Sequence, residues 1–290
     1  MCDDLTNASN EEFLAKKNGI SRRDFGKLAA GGSAMMALPP LANALDVVEE
    51  EVLIPMAEGT ADAYFVHPAT GKHAAIIMWP DIMSIRPAFR QMGKRLAQSG
   101  YSVLVINPYY RTFTGRIVPE GGNFGDPDTR ALVRPQANTL SPETCVSDGR
   151  DFVAWLDQQD SVSTSRKIGT CGYCMTGSYT FRLAADMPDR IGAGASFHGG
   201  GLVADNAASP HLLADQIEAG MLIAIAQNDD ESQPEAKDVL ADVFSGRDNV
   251  EIEVYQAQHG WCPLDSSVYD YARSERAWSR MLELYDRELA

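Results

Sequence analysis

The sequence predicts an α/β fold, a doubly wound and mostly parallel sheet with helices on both faces. Three observations carry this. Short apolar runs such as His73–Trp79, Tyr101–Ile106 and Met221–Ala226 have the length and make-up of strands buried on both faces. They alternate with stretches of helical spacing, the pattern of parallel strands joined by crossover helices. The turns at the strand ends carry Asp, His, Cys, Gly and Pro, where open α/β sheets bind ligands.

The bulk properties set limits. The chain has 290 residues, with 44% hydrophobic and 22% charged, ordinary values for a globular protein. Net charge is −15, and the first 44 residues hold five acids and five bases, so the remainder carries the whole excess. An acidic balance without a basic cluster argues against nucleic acid and anionic membrane surfaces as partners. No apolar run reaches the 18 residues or so of a spanning helix, so stable membrane insertion is not expected. The oligomeric state is not legible.

The N-terminal region reads as a targeting segment. Ser21-Arg22-Arg23-Asp24-Phe25-Gly26-Lys27 resembles the twin-arginine export signal, departing at Gly26. Leu28–Leu41 is mildly apolar and contains two glycines and two prolines, and Ala42-Asn43-Ala44 supplies an A-x-A cleavage site. Residues 1–44 are therefore expected to be a signal peptide read by the twin-arginine export machinery, with one domain over 45–290 in the periplasm. Residues 1–20 show no core pattern.

Taken in order, Val47–Ile54 and Ala61–Val66 read as strands of a hairpin turning at Gly59. After the strand His73–Trp79, a loop at Pro80–Ser84 leads into a helix over Arg86–Gln98, stopped by Gly100. The strand Tyr101–Ile106 precedes Asn107-Pro108-Tyr109-Tyr110-Arg111. Thr112–Leu140 is irregular and rich in Gly, Pro and Asp, and is expected to form a pocket wall or lid. Ser141 starts a helix through about Gln158. Lys167–Cys171 is a strand, and a helix follows the turn after it. Ile191–Phe197, Met221–Ala226 and Val250–Tyr255 are strands, Pro234–Phe244 a helix, and Ser267–Leu289 a closing helix.

The chemistry concentrates at Gly172-Tyr173-Cys174-Met175-Thr176-Gly177. This is close to the nucleophile-elbow pattern G-x-S-x-G with cysteine in place of serine. Small residues suit a strained strand-to-helix turn, and the helix N-terminus favours a thiolate and offers an N–H to an oxyanion. Asp229 and His259 follow in the chain, each after a later strand. Nucleophile, acid and histidine in that order, each at a strand end, match the α/β-hydrolase arrangement. Cys171 and Cys174 also form a C-x-x-C, so a periplasmic thiol–disulfide oxidoreductase is the alternative. A non-catalytic binding protein is a third reading. His198, beside three glycines, reads first as a turn histidine and second as a residue lining the pocket. No metal spacing or dinucleotide fingerprint is present, so no cofactor is expected.

Several blocks together resemble the dienelactone hydrolase (carboxymethylenebutenolidase) family from about Val47 to the C-terminus. They are the cysteine elbow, Pro80–Arg86, Asn107–Arg111, Asp229 with Pro234-Glu235, and His259-Gly260-Trp261 with the Glu275–Trp278 block. The resemblance implies an α/β-hydrolase fold and a small-molecule ester or lactone substrate. It implies Cys174 as nucleophile, His259 as base and Asp229 as orienting acid, with the backbone N–H groups of Ile82 and Met175 as oxyanion hole. Asp81, Arg111 and Tyr173 fall at substrate-binding positions. Asp81 stands where the family has a glutamate that meets the resting cysteine, and Arg111 where it has a substrate-carboxylate arginine. Pro263 stands where better-known members carry a second arginine, with Arg86 or Arg134 as candidates to compensate.

Overall fold

The structure is a computed structural model and describes residues 4–18 and 44–290. Eight strands form one sheet: β1 (Val47–Met56), β2 (Gly59–Pro68), β3 (Ala75–Trp79), β4 (Ser102–Ile106), β5 (Ile168–Tyr173), β6 (Ile191–Phe197), β7 (Gly220–Ala226) and β8 (Val250–Tyr255). The spatial order is β1-β2-β4-β3-β5-β6-β7-β8. The opening hairpin pairs antiparallel, β2 pairs antiparallel with β4, and every later pairing is parallel. This is the α/β-hydrolase sheet expected from the alternating pattern.

The helices are α1 (Asp4–Asn18), α2 (Pro87–Gln98), α3 (Pro127–Ala137), α4 (Pro142–Leu156), α5 (Gly177–Asp186), α6 (Gln227–Ser232), α7 (Ala236–Val243) and α8 (Tyr271–Glu288). Side chains alternate across each strand, so one sheet feeds two cores. Ile76, Met78, Val103, Val105, Cys171 and Tyr173 face the layer built by Phe89, Met92 and Leu96 of α2 and Trp278, Met281 and Tyr285 of α8. Ile77, Trp79, Leu104 and Ile106 face Phe152 and Leu156 of α4, Phe181 and Leu183 of α5 and Leu240 of α7. Each large side chain fully withdrawn from water contributes about 1.5–3 kcal/mol before the entropy cost of ordering it.

The central strands fall where the apolar runs place them, and the differences have physical causes. β3 begins at Ala75, and His73 makes only an isolated bridge to Val162. The stretch from 112 to 140 contains α3, which carries Pro127 in its first turn and Pro135 inside it. Those prolines and its polar make-up hide its periodicity. The polar α6 gives no apolar signal either, although it carries Asp229.

No sequence pattern marks α1. It is polar, with Leu14 and Ala15 buried, and it rests on α6. Asn10 Nδ2 donates to the His259 carbonyl at 2.9 Å, and Asn228 Nδ2 donates to Asn10 Oδ1 at 3.3 Å. Residues 4–18 are thus packed beside the histidine loop. The twin-arginine motif lies outside the described residues. No described helix is long and apolar enough to cross a membrane.

The tightest point of the fold is the turn after β5. A Cβ on Gly172 would lie 2.1 Å from the Thr176 carbonyl oxygen, so only glycine fits. At Gly201 the backbone is left-handed (φ 67°) but a Cβ would meet nothing within 4 Å. Gly172→Ala should therefore cost about 3 kcal/mol or more, the upper range of overpacking, against about 1 kcal/mol for Gly201→Ala. Urea denaturation of the two variants measures this, and equal costs would refute the steric account.

Candidate active site

The strand ends bring the sequence-predicted residues to one edge of the sheet. Cys174 follows β5 with φ 60°, a left-handed conformation that a non-glycine residue adopts only under constraint. Gly172 has no Cβ on one side of the turn. On the other, a Cβ on Gly177 would lie 2.6 Å from the Gly199 Cα. Thr176 is the residue here that motif reading does not single out. Its hydroxyl accepts the Tyr173 N–H at 2.9 Å and lies 2.9 and 3.0 Å from the carbonyl oxygens of Trp79 and Pro80. One buried hydroxyl thereby ties the elbow to the loop after β3, which carries Ile82. Gly200 N–H donates to the Cys174 carbonyl at 3.2 Å and braces the turn from the β6 side.

His259 joins the other two functional groups. Its Nδ1 lies 3.0 and 2.8 Å from the two Asp229 carboxylate oxygens, and the ring also hydrogen-bonds Cys174. Asn228 Oδ1 accepts the His259 backbone N–H at 2.7 Å, fixing the loop from which the ring projects. Cys174 and His259 are buried, whereas the Asp229 side chain is partly exposed. Burial alone pulls the imidazole toward the neutral form. The Asp229 charge and the Cys174 sulfur outweigh it, and the pKa rises to about 10. Such a ring carries its proton through neutral pH and can hold a thiolate beside it.

His198 lies in the turn after β6, as expected, and is turned inward rather than into solvent. It follows β6 with φ 40°, is fully buried, and its ring centroid lies 4.8 Å from that of His259. Burial and the neighbouring His259 charge hold its pKa well below 6.5, so it stays neutral. Only its place at a strand end could have signalled this.

The loop after β3 is held by charge. Asp81 Oδ1 accepts the Met83 N–H at 2.9 Å, and both Asp81 oxygens accept from Arg86, at 2.7 and 2.9 Å. Burial raises the Asp81 pKa against the opposing pull of Arg86, and the Cys174 sulfur is close enough to raise it further. Asp81 therefore sits near Cys174, paired to the arginine that closes its own motif block. Tyr109 hydroxyl donates to the Ile82 carbonyl at 2.8 Å and orients that peptide. Ile82 and Met175 belong to an apolar cluster with Tyr109, Ile117, Val118 and Val133. The segment from 112 to 140 thus forms an apolar wall against Ile82 and Met175.

Three residues given roles or offered as candidates from the sequence have partners within the protein. Arg111 donates twice to Asp148 and once to Glu58 and stacks on Tyr110, so three of its N–H groups are held within the protein. Tyr173 is a core residue beneath the elbow, stacked on Phe197 with 5.0 Å between centroids and edge-on to Phe89. Arg86, a candidate to replace the arginine absent at Pro263, is taken up by Asp81 and Asp265. Cys171 lies in β5 under Tyr285 and Tyr173. Burial outweighs their hydrogen bonds and pushes its thiol up to about 12. None of the four described cysteines, Cys145, Cys171, Cys174 and Cys262, is in a disulfide. A buried, protonated Cys171 argues against dithiol redox chemistry at the C-x-x-C.

The sheet and the strand-end groups define an α/β-hydrolase. A family model, the dienelactone hydrolase family, matches residues 61–289. The chain belongs to the dienelactone hydrolase family, and it is a hydrolase of that type. A carboxymethylenebutenolidase of Rhodococcus opacus is 24% identical over 238 residues, 80% of this chain and 88% of its own length. Among solved structures, a dienelactone hydrolase-like promiscuous phosphotriesterase from metagenomic libraries superposes with a TM-score of 0.67 at 19% identity. It covers 84% of this chain and 99% of its own. A dienelactone hydrolase of Anabaena variabilis superposes with a TM-score of 0.60 at 17% identity and the same coverage.

The charge on His259 depends on Asp229. Asp229→Asn should lower the His259 pKa from about 10 toward the usual histidine range, because burial is then opposed by the sulfur alone. An NMR titration of the imidazole measures it. A pKa that stays near 10 in the variant would show that Asp229 is not the source of the shift.

Proposed function

We propose that Cys174, His259 and Asp229 form a catalytic triad that hydrolyses activated esters or lactones through a thioester on Cys174. The observation that carries this reading is the bonding of one buried imidazole to both Asp229 and Cys174. The thiolate attacks the carbonyl carbon. The oxyanion is received by the backbone N–H groups of Ile82 and Met175, each such donor worth on the order of 3 kcal/mol in comparable sites. The tetrahedral intermediate collapses, the carbon–oxygen bond breaks, and His259 gives its proton to the departing alkoxide or enolate. The neutral imidazole then takes a proton from water as the resulting hydroxide adds to the thioester. Collapse expels the Cys174 thiolate and releases the acid.

A thiolate is expelled from a tetrahedral intermediate more readily than a simple alkoxide or an amine. Good leaving groups are therefore favoured, which points to enol lactones and aryl esters rather than peptides. The apolar wall over residues 112–140 suits a small organic acyl group.

Export is proposed on the leader sequence. The twin arginines, the apolar segment and the A-x-A site come in the order that the twin-arginine route requires. This route carries folded proteins, so the four buried thiols would form in a reducing compartment before reaching an oxidising one.

Two measurements bear on these readings. Cys174→Ala should abolish 4-nitrophenyl ester hydrolysis, and mass spectrometry of quenched wild-type turnover should place the acyl group on Cys174, while Cys171→Ala keeps turnover. Loss of hydrolysis in both variants would restore the dithiol reading. For export, the double change Arg22→Lys, Arg23→Lys should leave the full chain in the cytoplasmic fraction, and undiminished periplasmic activity would refute the route.

A further inference from the structure

We infer that the buried Asp81–Arg86–Asp265 group makes this a site for uncharged esters and lactones and against substrates bearing a carboxylate. The inference rests on the proposed ester hydrolysis and specifies its substrate class. Arg86 lies between the two loops that frame the nucleophile. On one side it bonds Asp81, next to Ile82. On the other, its Nε and Nη2 donate to the two Asp265 oxygens at 2.7 and 3.0 Å, six residues beyond His259.

The fifth N–H of Arg86 goes to the Ser84 carbonyl at 3.2 Å. A guanidinium has five N–H donors, and the bonds to Asp81, Asp265 and Ser84 use all five. The side chain is 2% exposed and its plane rests over the Phe89 ring. Asp265 therefore takes the bidentate face of Arg86 that a substrate carboxylate would need.

The neighbouring cations also have partners within the protein, though none is saturated as Arg86 is. Arg111 is held by Asp148 and Glu58. In the wall segment, Arg116 donates to the Val118 and Pro119 carbonyls, Arg130 to those of Phe124 and Gly125, and Arg134 packs over the Phe124 ring. An anionic substrate would also approach Asp229, which is partly exposed, and enter against buried apolar side chains. Burying a carboxylate without a cation is costly. An uncharged methyl group in its place carries no such cost.

A matched pair of substrates tests this: 4-nitrophenyl hexanoate and mono-4-nitrophenyl adipate differ only by a terminal methyl or carboxylate. For the wild-type chain, with Cys174→Ala turnover subtracted, kcat/KM for the hexanoate should exceed that for the adipate by about 10-fold or more, the worth of one charge-assisted contact. Asp265→Asn should raise the adipate-to-hexanoate ratio by about 10-fold, mainly through KM, because Arg86 regains donors and charge. Asp265→Ala serves as a second variant, and thermal melting reports whether each is folded. The wild-type ratio decides the matter even if neither variant folds. Equal or faster adipate turnover by the wild type would overturn the inference, as would an unchanged ratio in a folded Asp265 variant. If neither ester shows Cys174-dependent turnover, the proposed function falls and the inference with it.

Discussion

The geometry of the site depends on one steric constraint, the turn that holds Cys174 in a left-handed conformation. A residue with a Cβ does not stay at φ 60° unless its surroundings leave no alternative. Here the Gly172 position sits against the Thr176 carbonyl and the Gly177 position against Gly199, so neither neighbour can carry a side chain. Thr176 completes the turn from within, with its hydroxyl among the backbone groups of Trp79, Pro80 and Tyr173. The turn sets Cys174 at the sheet edge. Met175 follows it directly, beside a loop that Thr176 has already tied down.

Around that turn the remaining strand ends are held by polar side chains that reach across the sheet. Asn228 fixes the backbone of His259, and Asp229 fixes its ring. Arg86 joins the loop after β3 to the loop after β8 through Asp81 and Asp265. Breaking a buried pair of this kind is costly because the partner is left charged and unpaired. The same contact shapes chemistry, since a guanidinium saturated by the protein has nothing to offer a substrate. Structural rigidity and substrate charge preference thus have a common origin in one side chain.

The parts of the fold that are legible in the sequence are those whose signal is local. β3, β4, β6 and β7 appear as apolar runs because a strand buried on both faces must be apolar throughout, and the half-buried edge strand β8 appears as an alternation. α1, α3 and α6 escape such a reading because each is polar, short or broken by proline, and each is held by contacts made elsewhere in the chain. Family resemblance points to Asp81 and Arg111 by position in a motif. Position alone does not say that Arg111 is spent on Asp148, nor that Asp81 is spent on Arg86.

By itself the sequence determined the class of sheet, the cysteine elbow, and the order of Cys174, Asp229 and His259 along it. Those follow from periodicity and from small residues at a turn, properties of neighbours along the chain. Only the tertiary structure decided which partner each charged group takes. Arg86 and Asp265 lie 179 positions apart, and Asp229 and His259 lie 30 apart. Such pairings depend on how loops from different strands converge, and the lone charge in a sequence reads the same whether its partner is water, a substrate or the protein. The burial of His198 beside His259, the sealing of Cys171 under Tyr285, and the saturation of Arg86 are all decisions of that kind.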